Sequence, residues 1–114
     1  MRVVHEQPEG TEILASDVDV ADSLPAQARG LTFRTGIPEK YALVFRFGRV
    51  ASRSLHMLFV PFPIDAIWLV DDEVTAVKRL RAWVGRGRAR ADTVIELPAG
   101  AAADVEVGDV VSVE

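Results

Sequence analysis

The chain has no cysteine among its 114 residues. Disulfide frames, thiolate chemistry and sulfur-built zinc sites are therefore excluded. Histidine is almost as scarce, with only His5 and His56, and the two do not form an H-x-x-x-H pair. No phosphate loop of the G-x-x-x-x-G-K-[ST] or G-x-G-x-x-G type occurs, and no G-x-S-x-G elbow presents a serine nucleophile. Long apolar runs are also missing. The nearest, LHMLFVPFPIDAIWLV from Leu55 to Val70, has His56 and Asp65 as its polar side chains and is cut by Pro61 and Pro63. A membrane helix needs about 20 unbroken apolar residues, and interior prolines remove helix donors. Two short buried strands, 55–60 and 64–70, joined by a Pro-kinked connection, are the expectation. The opening MRVVHEQPEG has no stretch of signal-peptide length. A soluble, cytoplasmic protein with no membrane partner is expected.

What is present is charge, unevenly placed. Residues 1–28 carry one arginine and six acids, residues 29–90 carry twelve Lys/Arg and five acids, and residues 91–114 carry six acids and no base. One reading sets the acidic terminal strands beside the basic central ones, with opposite charges facing across a sheet. The other is a basic face for an anionic partner.

Turn signals recur every eight to twelve residues, and short alternating segments lie between them. Residues 1–10 read as a flexible leader and 11–114 as one domain. Thr11–Ala21 alternates as a half-buried strand. DSLPAQARG predicts a short helix over about Leu24–Arg29, capped by Asp22 or Ser23 and closed by Gly30. Tyr41–Phe47 and Arg53–Val60 read as separate strands around a turn at Gly48. Ile64–Val70 and Val74–Leu80 read as a hairpin about Asp71-Asp72-Glu73, with Arg81–Val84 continuing its edge. Gly85–Arg90 (GRGRAR) reads as a flexible arginine-rich loop, Asp92–Leu97 as a strand, Pro98–Asp104 as one helical turn and Val110–Val113 as a last strand. Phe45, Phe47, Met57, Phe59 and Phe62 are expected in the core, and Trp68 and Trp83 as core or interface anchors. The fold class is all-β: a β-sandwich or jelly-roll-like small barrel with one or two short helices.

Chemistry is thinly represented. Ser54 and His56 share a strand face, and Asp65 follows nine residues later. A relay needs the histidine to reach both partners, and no oxyanion hole is evident. His5 is expected to be solvated. Asp17 and Asp19 share a face but lack the glycine and terminal glutamate of a calcium loop. No metal or cofactor is expected. Arg86, Arg88 and Arg90 are the candidate anion-binding residues, with Lys78, Arg79 and Arg81 just upstream and Trp83 between. The same run also suits a solvated strand edge that blocks aggregation.

Three segments together resemble a known family. ARGLTFR (Ala28–Arg34), HMLFVPFPIDAIWL (His56–Leu69) and ELPAGAAADVEVGDVV (Glu96–Val111) are similar in order and spacing to domain of unknown function 192. Arg29, Gly30, Leu31, Phe33 and Arg34 match its first motif. Met57, Pro63, Ile64 and Asp65 match the second, Glu96, Leu97, Pro98 and Gly100 the third, and Gly108 with Asp109 the last. Thr32 replaces a usual methionine, and His56-Met57-Leu58-Phe59 stands where many members have W-M-K-N. The resemblance implies an all-β sandwich with a small helix and supplies no activity.

The candidate ligand-binding residues are thus Arg29, Arg34, His56, Asp65 and Glu96. Arg29 and Arg34 would otherwise serve to neutralise Asp65 or Glu96, and Asp65 to cap the turn after Pro63. A non-catalytic module that binds a small molecule or a protein, as a monomer or weak homodimer, is the leading expectation. The alternatives are a hydrolase-like enzyme acting on a small anionic substrate through His56, Asp65 and an arginine, and a nucleic-acid or phosphate binder working through residues 78–90.

Overall fold

A computed structural model of the chain describes residues 1–21, 31 and 34–114. Eight strands form in order: β1 (Val3–Gln7), β2 (Gly10–Ala15), β3 (Asp17–Ala21), β4 (Tyr41–His56), β5 (Ile64–Val70), β6 (Glu73–Leu80), β7 (Arg86–Pro98) and β8 (Val111–Val113). They make a three-stranded sheet, β2-β1-β8, and a five-stranded sheet, β3-β4-β7-β5-β6. All pairings are antiparallel except β3 with β4. The fold is all-β, with two sheets that do not close into a barrel. Among the described residues there is no helix, and so none long and apolar enough to cross a membrane.

The two sheets are tied at both margins. On one side the chain passes from β2 to β3 at Ser16, where the Ser16 and Asp17 amides both donate to the Lys40 carbonyl, at 3.0 and 2.9 Å. On the other, Val110 bridges to Glu73 and the Val74 amide donates to the Asp109 carbonyl. Between the sheets Val3, Leu14, Ala15 and Val111 meet Val44, Ile67, Leu69, Ile95 and Leu97 in the first core. Burial of each such side chain stabilises by about 1.5–3 kcal/mol.

Alternation along β5 and β7 sends the remaining residues to the other face of the large sheet. There Tyr41, Leu43, Phe45, Ile64, Trp68 and Val94 form a second core with Met57, Val60 and Leu80. This face is roofed by the chain itself. The end of β4 and the start of β7 run on together as a two-stranded ribbon, with Ala51 opposite Ala91 and His56 opposite Arg86. The register slips between Arg46 and Ala51, around Gly48, and the ribbon folds back over Trp68. The Trp68 Nε1–H donates to the Arg53 carbonyl at 2.9 Å. A Cβ added to Gly87 would lie 2.7 Å from Trp68 Cη2, so only glycine fits there.

Several sequence expectations are corrected. Val3–Gln7 is no leader: it is the middle strand of the small sheet, with Val3, Val4 and His5 buried. Pro8-Glu9 is the turn of the β1–β2 hairpin. Thr11–Ala21 divides at Ser16 into two strands in different sheets. Gly48 is a bulge site within one sixteen-residue strand. Met57–Val60 is a turn, not the end of a buried strand, and Phe59 is 47% exposed. Arg81–Val84 is likewise a turn, and Trp83 is 54% exposed. In the GRGRAR run, Arg86–Arg90 is strand. Pro98–Asp104 forms successive turns rather than a helix: Gly100 has φ +97, and the Gly100 and Ala102 amides are taken by Asp65. The predicted helix over Leu24–Arg29 lies outside the described residues. The β5–β6 hairpin stands as expected, with Asp71 and Asp72 at φ 47 and 66, the backbone a two-residue primed turn requires.

Candidate functional site

Strand alternation decides where each candidate side chain goes. On β7, Ile95 and Leu97 enter the first core and Val94 the second, so Glu96 joins the second face. Asp65 lies between Ile64 and Ala66 of the second core and therefore points the other way. The sheet separates the two carboxylates. Arg29 lies outside the described residues.

Asp65 is buried and fully engaged. Its Oδ1 accepts from Arg79 Nε at 2.6 Å, and its Oδ2 accepts from the Gly100 and Ala102 amides at 3.0 and 2.9 Å. It fastens the turn after β7 to β5. Its partner is Arg79, not Arg34, and the turn it caps is 98–102, not the one after Pro63. His56 is exposed at the end of the ribbon, and its Nδ1 accepts a long bond from the Leu58 amide at 3.4 Å. It sits on the roof of the second face while Asp65 opens on the first, so the two do not meet.

Glu96 is 6% exposed. Burial pushes its carboxyl up to about 7, against the pull of the Arg34 guanidinium. Arg34 also lies over the Tyr41 ring, 5.2 Å from its centroid. The Tyr41 hydroxyl donates to Asp19 Oδ2 at 2.9 Å, and burial together with this bond pushes the phenol up to about 12. Asp19, Leu43 and Glu96 occupy one row across β3, β4 and β7. Arg34 and Glu96 therefore belong to one neighbourhood, completed by Tyr41 and Asp19, neither of which the sequence singles out as a partner of Glu96. A shared strand face was the available signal, but it requires the parallel register of β3 with β4.

The ribbon carries the clearest surface feature. Its inner face is Ala51, Arg53, Leu55, Gly87, Ala89 and Ala91. Its outer face is Ser52, Ser54 and His56, set opposite Arg90, Arg88 and Arg86 in turn. The arginines are exposed and recur every second residue, about 6.6–6.8 Å apart. Among the described residues none of the three forms an ion pair. Ser54, Leu55, His56, Arg86, Gly87 and Arg88 line a shallow cleft there. Ser54 and His56 do share a face, but their neighbours are guanidinium groups.

At the opposite layer His5 is buried, not solvated. Its Nε2 lies 2.8 Å from Asp109 Oδ2, and its Nδ1 is 3.8 Å from Glu12. The Glu106 amide and this imidazole hold the Asp109 carboxyl below its usual range. Among the described residues no three His, Asp or Glu side chains gather to hold a metal.

Comparisons place this geometry among known folds. A protein of unknown function from Novosphingobium aromaticivorans DSM 12444 superposes with a TM-score of 0.85 at 22% identity, over 99% of this chain and 84% of that one. A protein from Sinorhizobium meliloti 1021, described as a candidate transcription regulator, gives 0.83 at 21% identity, over 97% and 91% of the two chains. At these identities the likeness is one of fold. No functionally curated protein matches. The family model described as "Uncharacterized ACR, COG1430" matches residues 4–113, and with nearly its whole length covered the chain belongs to the family of domain of unknown function 192.

Proposed function

We propose that this protein is a non-catalytic binding module that takes an anionic ligand on the outer face of the β4–β7 ribbon. The observation that carries the reading is the row of Arg86, Arg88 and Arg90, set on one strand face without acidic partners among the described residues. Guanidinium forks match phosphate and carboxylate oxygens. Ser54 and His56 add hydroxyl and imidazole donors at the same level. No comparable convergence supports a hydrolase: Asp65 is consumed by Arg79 and two amides, and Ser54 has no base aligned by a carboxylate.

Titration of the full chain with inorganic pyrophosphate tests the proposal. Binding is expected at low ionic strength and should weaken as salt screens the exposed arginines. Replacing Arg86, Arg88 and Arg90 together by Ala should remove it. Arg2→Ala, which breaks a pair with Glu114 at the chain termini, should leave it intact. Equal loss in both variants, or salt-insensitive binding, would place the ligand elsewhere.

A further inference from the structure

Four of the exposed apolar side chains lie together, while Met1, Ile13, Val50, Val107 and Val110 are exposed elsewhere. Leu58 and Phe59 are 55% and 47% exposed, and Trp83 and Val84 are 54% and 67% exposed. They occupy two turns that lie side by side. The Trp83 amide donates to the Val60 carbonyl at 3.0 Å, and the Met57 amide to the Gly85 carbonyl at 3.0 Å. Met57 and Val60 are buried, so the turns are anchored and their tips face water.

Two of these side chains sit in a backbone conformation that disfavours them. Phe59 has φ 62 and Trp83 has φ 67, in the left-handed region where glycine is the low-energy choice and a bulky residue is an outlier. Glycine at Trp83 would adopt this backbone without the steric cost. Backbone strain at bulky residues clusters at functional sites.

The basic row begins where the tips end. Gly85 leads directly into Arg86, and Arg81 is exposed in the same turn as Trp83. An apolar tip is thus collared by guanidinium groups. We infer that this end of the molecule docks on the surface of an anionic lipid bilayer. Leu58, Phe59, Trp83 and Val84 enter the boundary between headgroups and acyl chains, and Arg81, Arg86 and Arg88 meet the lipid phosphates. The inference rests on the anion-binding reading of the ribbon and names its ligand.

Three features favour a bilayer. An indole, apolar in body with one N–H donor, suits the membrane–water boundary. Stable surface attachment without a spanning helix needs apolar burial and electrostatic attraction together, and the two are adjacent here. The charge of the whole molecule also orients it. Glu6, Glu9, Asp104, Glu106 and Asp109 line one cleft on the small-sheet side, while the ribbon lies on the opposite face of the large sheet. A negative surface repels the first and attracts the second.

The test uses the full chain with vesicles of phosphatidylcholine alone and of phosphatidylcholine mixed equally with phosphatidylglycerol. Sedimentation with the mixed vesicles only, and a blue shift of tryptophan emission, are expected. Trp68 is 1% exposed, so the shift reports Trp83. Trp83→Gly relieves the backbone, so its thermal midpoint should be no lower than that of the parent chain. It should bind mixed vesicles roughly tenfold more weakly and pyrophosphate equally well. Replacing Arg86, Arg88 and Arg90 by Ala should weaken both, by about a hundredfold for vesicles. Equal binding to both vesicle types, an unshifted emission, or an unaffected Trp83→Gly variant would overturn the inference. So would a single-stranded oligonucleotide bound more tightly than the mixed vesicles. Binding of pyrophosphate without binding of vesicles would overturn the bilayer and leave the anion site standing. Binding of neither would remove both.

Discussion

At the scale of single residues, Glu96 ties the stability of the fold to pH. An ordinary glutamate ionises near 4.5, and burial in the folded chain moves Glu96 to about 7. The folded state therefore holds this proton more tightly than the unfolded state does. The stability that the tight proton contributes is complete below about pH 4.5, declines between 4.5 and 7, and is gone above 7, where an ionised carboxylate remains buried. The difference amounts to about 3 kcal/mol. Glu96→Gln keeps a neutral group of the same shape at every pH. Urea unfolding should find it close to the parent chain at about pH 4 and more stable by up to about 3 kcal/mol at about pH 8. Parallel curves for the two chains would assign the pH dependence to another group. Asp109 behaves oppositely: its carboxyl is held down by the Glu106 amide and His5, and it lies in a different layer.

At the scale of elements, the ribbon half of β7 shows how composition misleads. Glycine and arginine in GRGRAR are loop signals when read locally. Their alternation is a strand pattern in which the inward residues are small because an indole lies beneath. Gly87 faces the Trp68 ring and Ala89 packs on the second core. Gly87→Val should then force the ribbon off Trp68 and cost about 1–3 kcal/mol in chemical denaturation, as overpacking does. An Arg88→Val substitution, one residue along and facing water, should cost little. The same logic explains what was readable. The β5–β6 hairpin announces itself through a wholly apolar strand, a charged two-residue turn and a returning partner. Residues 92–97 read as a strand whose faces meet different cores, Ile95 and Leu97 the first and Val94 the second. β1 was hidden, since Val3, Val4 and His5 are all buried and the His5 Nε2 is paired with Asp109, 104 residues away. No local pattern reports such a partner. The candidate site was legible in part for the same reason. Arg34 and Glu96 share a neighbourhood, but Asp65 went to Arg79, because the β5–β6 register sets Arg79 opposite residue 65.

At the scale of the whole molecule, charge is sorted by layer. The outermost parts of the acidic ends pair with each other in β2-β1-β8, whereas Asp17, Asp19 and Glu96 lie in the large sheet beside strands from the basic middle of the chain. The large sheet stands between this acidic layer and the arginine-bearing ribbon. That arrangement gives the ribbon its own mechanical identity. β5 and the second half of β7 have strands on both sides and cores on both faces. The ribbon has two strands only, and an isolated two-stranded unit is marginal in water. Trp68 helps hold it down, through its ring against Gly87 and its N–H to the Arg53 carbonyl, and Thr75 and Lys78 of β6 donate to the Arg90 and Arg86 carbonyls at 2.7 and 2.8 Å. Trp68→Phe should keep the second core filled while loosening this clasp. Amide hydrogen exchange in that variant should quicken at residues 51–56 and 86–91 and change little along Ile64–Val70 and Thr93–Leu97. The fixed spacing of Arg86, Arg88 and Arg90 would be lost along with protection, so pyrophosphate affinity should fall although every arginine remains. Uniform acceleration across all strands would instead mean that ribbon and sheets open as one unit, and that the indole clasp has no part in presenting the basic face.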